Sequence, residues 1–367
     1  MMETPQPISP HFDFGTPPPT PPSPAPAPTT KSKSRCSSKS KSTTTPTSLT
    51  PSSSSGSGSQ SDKYSTSKPW YHTTIGKRLG PEARELLENY SHIPKDEVDA
   101  HVYKMRDFLW FQTPYPSIGN FSFLTLRLLT HPLYPRIINT LSAPSSPSNP
   151  PALFLDLGCC VAQELRSLAH HASIPPAQLY GTDYNASFLK SSFKVFNDHD
   201  AGYTLLPANI LDPNFFDLTF RNLIQKFTII HAALFMHLFT WDQQLQVCEN
   251  VVRLMQNQEG ALFVGCMAGK VGGGEGEQGR WLHDADSWVR LWGEVWERLG
   301  MEGSWKVQGE LRELRELGEL ARVGERDFEG GGMGLFEFSV ERTGGSREGL
   351  AWMGMGMRIG MGIDMRR

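Results

Sequence analysis

The chain has 367 residues, a formal net charge of −3 at neutral pH and five cysteines. The small negative charge gives no basis for a nucleic-acid surface, and five cysteines are too few for a disulfide framework in a chain of this length. No apolar run is long enough to cross a membrane and no hydrophobic leader follows Met1, so we expect a cytoplasmic protein with no membrane partner.

Both ends of the chain have compositions that are typical of disorder. Residues 1–67 are rich in Pro, Ser and Thr, and they offer too little apolar surface to offset the entropy of ordering. Residues 344–367 alternate Gly with Met and have no helical or strand period. Between the tails we expect a helical N-terminal cover at 68–141, a linker at 142–151 and one α/β domain at 152–343.

Helical patterns come first in the folded part. PEARELLENY begins at Pro81, and KDEVDAHVYKMRDFLWF begins at Lys95 with apolar residues at helical spacing. Pro114 ends this second helix, because the residue before a proline is pushed out of the α region.

Strands and helices alternate after the linker. The predicted strands are ALFLDL, QLYGTDYN, TLLPANI, a strand within FTIIHAALFMHLF, and GALFVGCM, followed by the helix DSWVRLWGEVWERLG with its N-cap at Asp286 or Ser287 and its stop at Gly300. WKVQGEL and LFEFSVE then suggest a terminal antiparallel hairpin, with a loose charged excursion from 310 to 332 between them. The pattern predicts a Rossmann-like α/β sheet of seven mostly parallel strands.

Polar residues follow the ends of the first three strands. Asp156 and Gly158 form a turn after the first strand, Asp183 ends the second, and Asn209 follows the third. Ligands of such sheets bind beyond the carboxyl ends of the strands, and glycine allows a close backbone approach. A glycine turn, an acid for ribose hydroxyls and a polar group for adenine form the layout of an S-adenosylmethionine site. The absence of GxGxxG disfavours the alternative, a nicotinamide-dependent oxidoreductase.

These segments resemble fungal class I S-adenosylmethionine-dependent methyltransferases of secondary-metabolite clusters, including meroterpenoid carboxyl methyltransferases. The matching pieces are IPKDEVDAHVYKMRD, PYPSIGNFSFL, FLDLGCCVAQEL, LYGTDYN, ANILDP and LHDADSW. The resemblance implies S-adenosylmethionine as the cofactor, a small-molecule acceptor and a homodimer. It also implies that the cysteine pair packs rather than reacts. The cofactor-binding residues that it implies are Asp156, Gly158, Cys159, Asp183, Tyr184, Asn209, Ile210, Tyr115 and Gly119.

The chemistry of the acceptor decides whether a base is needed. Methyl transfer from a sulfonium requires no metal, and we expect none. A carboxylate acceptor is already ionised at neutral pH, whereas a hydroxyl would call for a histidine near the end of the fourth strand. His231 and His237 are the candidates, and a packed core histidine is the favoured interpretation of His231. Phe235 and Met236 suit an apolar substrate wall.

The leading hypothesis is an O-methyltransferase that acts on a carboxylic acid or hydroxyl of a polyketide or terpenoid scaffold. The alternative is a catalytically inactive relative that keeps the fold as a binding or regulatory protein. Ala162, Asn209 and the unusual Gly/Met tail favour this alternative, since the family usually carries Gly and Asp at the two positions and a Cβ at 162 would crowd the amino-acid end of the cofactor. The glycine-rich stretch from Gly269 to Arg280 lacks the ending of a phosphate loop, so we predict a lid or substrate-side loop.

Overall fold

The computed structural model describes residues 64–217, 219–301, 305–313 and 332–344. The two tails predicted to be disordered therefore lie outside the described residues, apart from 64–67 and 344. The predicted loose excursion at 310–332 begins inside a strand that extends to Glu313. Most of its remaining residues also lie outside the described part of the chain. The boundaries drawn at 68–141, 142–151 and 152–343 stay predictions.

A seven-stranded sheet forms the centre of the described structure. The strands, in chain order, are β1 (Phe154–Leu157), β2 (Leu179–Asp183), β3 (Thr204–Pro207), β4 (Ile229–Ala233), β5 (Leu262–Lys270), β6 (Gly274–Glu275), β7 (Trp281–Leu282), β8 (Trp305–Glu313) and β9 (Met333–Arg342). The sheet has the order β3-β2-β1-β4-β5-β9-β8, and β6 pairs only with β7. Strands β1 to β5 run parallel, and β9 is antiparallel to both β5 and β8. The predicted Rossmann-like sheet and its terminal hairpin are confirmed.

Eight α-helices surround this sheet in the described part of the chain. The four before β1 are α1 (Pro81–Glu85), α2 (Val98–Gln112), α3 (Pro116–Gly119) and α4 (Tyr134–Leu141), and a π-helical turn, Leu86–Tyr90, continues α1. The other four are α5 (Gln163–His171), α6 (Ala186–Phe196), α7 (Trp241–Leu254) and α8 (Ala285–Leu299). None of the described helices is long and apolar enough to span a membrane.

Helix α8 shows how the sequence pattern produces packing. Trp288, Leu291, Trp292 and Val295 lie on one face and are fully buried, as their spacing predicts. The predicted N-cap is wrong by two or three residues: Asp284 caps the helix, and its side chain accepts a hydrogen bond from the backbone N–H three positions later. Gly300 ends the helix as predicted, with a φ of +61°.

The helical cover is held to the sheet domain by buried polar contacts. Glu164 on α5 accepts hydrogen bonds from the backbone N–H groups of Arg127 and Leu128, at 2.5 and 3.2 Å. The Tyr90 hydroxyl, at the end of the π-helical turn, donates to Asp198 at 2.7 Å. These contacts bring the segment around Arg127 to the carboxyl edge of the sheet, where the candidate site lies.

Candidate active site

A cavity of about 490 Å³ opens at the carboxyl ends of the parallel strands. Leu157, Thr182 and Ala233 line it from the ends of β1, β2 and β4. The helical cover supplies the facing wall, which runs from Thr113 to Arg127. The cavity therefore lies where the strand order predicts a ligand for a doubly wound sheet, under a roof that the N-terminal helices provide.

The glycine turn after β1 lines this cavity. Gly158 has a φ of +68°, and a Cβ built on it would lie 2.4 Å from Cδ2 of Phe235. Its N–H donates to the carbonyl oxygen of Thr182 at 2.8 Å. Only glycine fits this position without strain, because both the backbone conformation and the space above it exclude a side chain.

Asp183 places a fixed carboxylate in the cavity at the end of β2. Oδ2 accepts a hydrogen bond from Cys160 N at 2.9 Å, and Oδ1 accepts one from Asn185 N at 2.8 Å. Burial raises the pKa of Asp183, while these two backbone donors act against that shift. Each oxygen keeps a further lone pair, so the carboxylate can accept two hydroxyl donors from a ligand.

Four other predicted cofactor residues also line the cavity. Asn209 and Ile210 follow β3, and Tyr184, which is 80% exposed, follows β2. Oδ1 of Asn209 already accepts a hydrogen bond from Leu211 N at 3.1 Å, so an adenine amine would share this acceptor. Tyr115 lines the cavity from the cover side.

Three predicted residues are not among those that line the cavity. Asp156 is buried, and its Oδ1 lies 2.7 Å from Nδ1 of His231, its neighbour across β1 and β4. Cys159 packs beside Gly181, and the adjacent Cys160 lines the cavity instead. The backbone of Cys160 has a φ of +52°, as a turn of this kind requires.

Gly119 is the third of these residues. A Cβ built on it would lie 2.8 Å from Cζ3 of Trp110, so its role is close packing within the cover.

Neither candidate histidine lines the cavity. The buried His231 ring opposes Asp156; burial alone would lower the His231 pKa, but the carboxylate raises it overall. Burial lowers the pKa of His237 to about 4, so that ring is held neutral. Of the predicted apolar wall, Phe235 lines the cavity, and Met236 is fully buried in the core beneath it. The geometry thus gives no support to a histidine base.

Several lining residues were not found by sequence reasoning. Thr125 Oγ1 and Gln163 Oε1 are buried without a hydrogen-bond partner among the described residues. Arg127, which is 7% exposed, lines the same cavity. Gln163 was foreseeable as the first residue of a helix that follows the glycine turn. Arg127 was not, because its place depends on how the cover docks. The apolar wall consists of Phe123, Phe188, Phe235, Leu238 and Phe239.

Comparison with known proteins places this site in a family. Residues 70–124 match the family model described as meroterpenoid methyltransferase N-terminal domain. The chain is 38% identical over 259 residues to O-methyltransferase phiE of a fungal species (strain ATCC 74256), which covers 69% of this chain and 82% of that protein. The chain belongs to the fungal secondary-metabolite methyltransferases. It is 34% identical over 267 residues to O-methyltransferase atr3 of Stereocaulon alpinum, covering 71% and 74% of the two chains. It is 35% identical over 228 residues to Asnovolin E/Chermesin D methyltransferase nvfJ of Aspergillus novofumigatus, covering 59% and 77%.

The cavity of this fungal methyltransferase fits S-adenosylmethionine. The Asp183 carboxylate can accept hydrogen bonds from ribose hydroxyls, and the turn at Gly158 has no side chain to block a ligand that packs against it. The Gln163 oxygen, which has no partner among the described residues, can accept a hydrogen bond from an ammonium group. Ala162 is fully buried and packs in the core, and it does not line the cavity. One reason for considering an inactive relative, a Cβ at 162 that crowds the cofactor, is therefore removed.

Proposed function

We propose that this chain transfers the methyl group of S-adenosylmethionine to an oxygen atom of a small-molecule acceptor, a carboxylic acid or hydroxyl on a polyketide or terpenoid scaffold. The observation that carries the proposal is the cavity in which Asp183 and Gly158 face an apolar wall. Support also comes from the relatives named O-methyltransferases, which align with most of the folded part of the chain.

Different residues of the chain would hold different parts of the cofactor. Asp183 would accept hydrogen bonds from the two ribose hydroxyls, and the turn at Gly158 would let the backbone pass close to the ligand. Asn209 and Tyr184 would hold the adenine, while Gln163 would accept a hydrogen bond from the ammonium group at the methionine end. When bound, S-adenosylmethionine supplies an electrophilic methyl group on a sulfonium. The chain's contribution to rate is to hold the acceptor oxygen in line with that methyl in a dry pocket.

A carboxylate is the acceptor that the cavity favours. Among the described residues that line it there is no histidine and no lysine, and the carboxylate there, Asp183, is assigned to the ribose, so no side chain of the usual kind stands ready to deprotonate a hydroxyl. Arg127 is the cation on the described lining, and a guanidinium binds a carboxylate in a fixed geometry. Phe123 and Phe235 line the same cavity, and apolar surroundings of this kind strengthen the attraction.

Calorimetric titration of the full chain tests the cofactor site. S-adenosylhomocysteine should bind the wild type with one-to-one stoichiometry, and Asp183→Ala should weaken binding by at least about tenfold, the cost of one lost charge-assisted hydrogen bond. Asp200→Ala is the matched control, because Asp200 is exposed and lies outside the cavity. Folded wild-type protein that binds neither S-adenosylmethionine nor its product would refute the proposal.

A panel of aromatic acids and the corresponding phenols tests the acceptor class. We expect the acids to be methylated, and Arg127→Met to raise the KM for the acid by about tenfold or more while Arg127→Lys restores part of it. The affinity for S-adenosylhomocysteine should not change if Arg127 holds the acceptor. Methylation of phenols in preference to acids would contradict the carboxylate assignment and leave the methyltransferase assignment intact.

We further propose a homodimer in the cytoplasm, in which the cover at 68–141 and the domain at 152–343 act as one unit. The family resemblance supports the dimer, and the four free thiols among the described residues suit a reducing compartment. Sedimentation analysis of the full chain and imaging of a fluorescent fusion in a fungal host test the two statements separately.

A further inference from the structure

A cluster of metal-ligating side chains lies where the cover meets the sheet domain, away from the cavity. Glu85 ends α1, and His170 and His171 end α5. Nε2 of His170 is 2.8 Å from Oε1 of Glu85, and Nε2 of His171 is 2.9 Å from Oε2. One ligand atom from each of the three residues lies within 4.8 Å of the others. The two rings thus converge on one carboxylate from consecutive positions of a helix end.

The surroundings of this Glu–His–His cluster orient its members. Oγ of Ser167, one helical turn earlier, lies 3.1 Å from Nδ1 of His171. Nδ2 of Asn89 donates to Oε1 of Glu85 at 2.7 Å. The Glu85 carboxylate thus lies within hydrogen-bond distance of both rings and accepts a hydrogen bond from Asn89. Groups of this kind commonly support ligands from behind in metal sites.

We propose that the Glu–His–His cluster binds a zinc ion, with two imidazole nitrogens and one carboxylate as protein ligands and water completing the coordination. Zn²⁺ prefers these donors, and three of them with one open position form a recognised set. The side chains are 21% to 41% exposed, so an ion can reach them from solvent.

Binding requires both rings to present an unprotonated Nε2 to the ion, and these atoms already lie close to the Glu85 carboxylate. In the tautomer with its proton on Nδ1, each imidazole offers the lone pair of Nε2 to the metal. The Nδ1 proton of His171 then donates to Ser167 Oγ, which is already in place. The carboxylate keeps its charge and exchanges two hydrogen bonds for the ion.

The bound ion would connect the cover to α5, the helix whose first residue lines the cavity. Helix α5 begins at Gln163, which lines the cavity, and Glu164 on the same helix holds the backbone of Arg127. The ion at its far end would join this helix to α1 and stabilise the docked cover. This site is independent of methyl transfer, since none of its residues lines the cavity.

Zinc titration of the full chain, freed of metal with a chelator, tests the site. We expect one Zn²⁺ per chain, a higher melting temperature with zinc, and visible d–d bands of a tetrahedral site when Co²⁺ replaces it. His170→Ala and Glu85→Gln should abolish specific binding. Ser167→Ala should weaken it by about tenfold, as the loss of a supporting hydrogen bond does.

The control is His199→Ala, which removes an exposed histidine outside the cluster and should bind zinc like the wild type. Circular dichroism and S-adenosylhomocysteine binding of each variant separate loss of the metal site from loss of the fold. Wild-type protein that binds zinc no more tightly than the His170→Ala and Glu85→Gln variants would overturn the proposal, whether or not the enzyme methylates any acceptor.

Discussion

At the scale of single residues, Gly158 gives the sharpest test of the glycine turn. Its φ of +68° would cost a residue with a Cβ about 1–2 kcal/mol, and the contact at 2.4 Å would displace the Phe235 ring. We expect Gly158→Ala to lower the free energy of unfolding by more than this cost and to abolish S-adenosylhomocysteine binding. Denaturant unfolding and calorimetry measure the two effects.

A second glycine provides the control for this substitution. Gly293 lies in the middle of α8, is exposed and has no atom within 4 Å of a Cβ built on it. Gly293→Ala should therefore stabilise the protein by about 0.5–1 kcal/mol, because alanine loses less freedom in a helix. Equal changes in the free energy of unfolding for Gly158→Ala and Gly293→Ala would show that the backbone at Gly158 does not require glycine.

Glu164 gives a prediction with a defined pH window. Burial raises its pKa to about 7 although His231 nearby acts against the shift, whereas the unfolded value is 4.5. As the pH rises, the unfolded chain therefore loses this proton at a lower pH than the folded chain does. The contribution of Glu164 to stability falls between pH 4.5 and pH 7, by about 3 kcal/mol in total. Below pH 4.5 that contribution is fully present.

The Glu164→Gln variant isolates this effect. Glutamine keeps an oxygen for the backbone N–H groups of Arg127 and Leu128 but cannot ionise. We expect the variant to gain about 3 kcal/mol relative to the wild type between pH 4.5 and pH 8, measured by urea unfolding across that range. A difference between the two proteins that does not change with pH would contradict the assignment.

At the scale of elements, the hydroxyl of Tyr90 couples the cover to the sheet domain. It donates to Asp198 at 2.7 Å and lies 2.9 Å from the Tyr203 hydroxyl, while Asp198 also pairs with the buried Arg166. Tyr90→Phe should destabilise the protein by about 1–3 kcal/mol, because buried partners lose a hydrogen bond. Tyr180→Phe is the control, since no hydrogen bond of its hydroxyl is found in the described part of the chain. A loss of the same size in both variants would show that the contact does not hold the cover.

Several of these elements could be predicted from the sequence. Strands β1, β2 and β4 and the buried face of α8 follow from local apolar patterns, as does the position of Asp183 at a strand end. The orientation of Asp156 does not, because it depends on β4 lying beside β1 although β2 and β3 come between them in the chain. That neighbour brings His231 to the carboxylate and takes both away from the cavity.

Contacts between segments that are far apart in the sequence could not be predicted from local patterns either. Arg127 lines the cavity, and its backbone is bound by Glu164, 37 positions later. Glu85 and the histidine pair at 170–171 are likewise far apart in the sequence and meet only through docking of the cover. Local patterns predict which residues are strands, helices and turns, whereas the lining of the site depends on how those elements assemble.

At the scale of the whole molecule, buried histidines determine the response to acid. Burial lowers the pKa of His131 and His237 to about 4 and that of His283 to about 3, against 6.5 in the unfolded chain. A depressed histidine pKa contributes stability that is fully present above pH 6.5 and is lost as the pH falls. The folded protein must therefore be destabilised between pH 6.5 and 5, where these rings stay neutral until the chain unfolds.

The size of this effect follows from counting protons. Between pH 6.5 and 5, unfolding takes up protons on these three histidines and releases protons from Glu164 and His231, whose pKa values are raised in the folded protein, so the free energy of unfolding should fall by about 1–2 kcal/mol per pH unit. Glu164→Gln removes one of the opposing protons, and the fall should then steepen by about 1 kcal/mol per pH unit. Urea unfolding of both proteins at several pH values across this window measures the two slopes. A stability that stays level from pH 6.5 to 5 in both would mean that the three rings are not held neutral by burial.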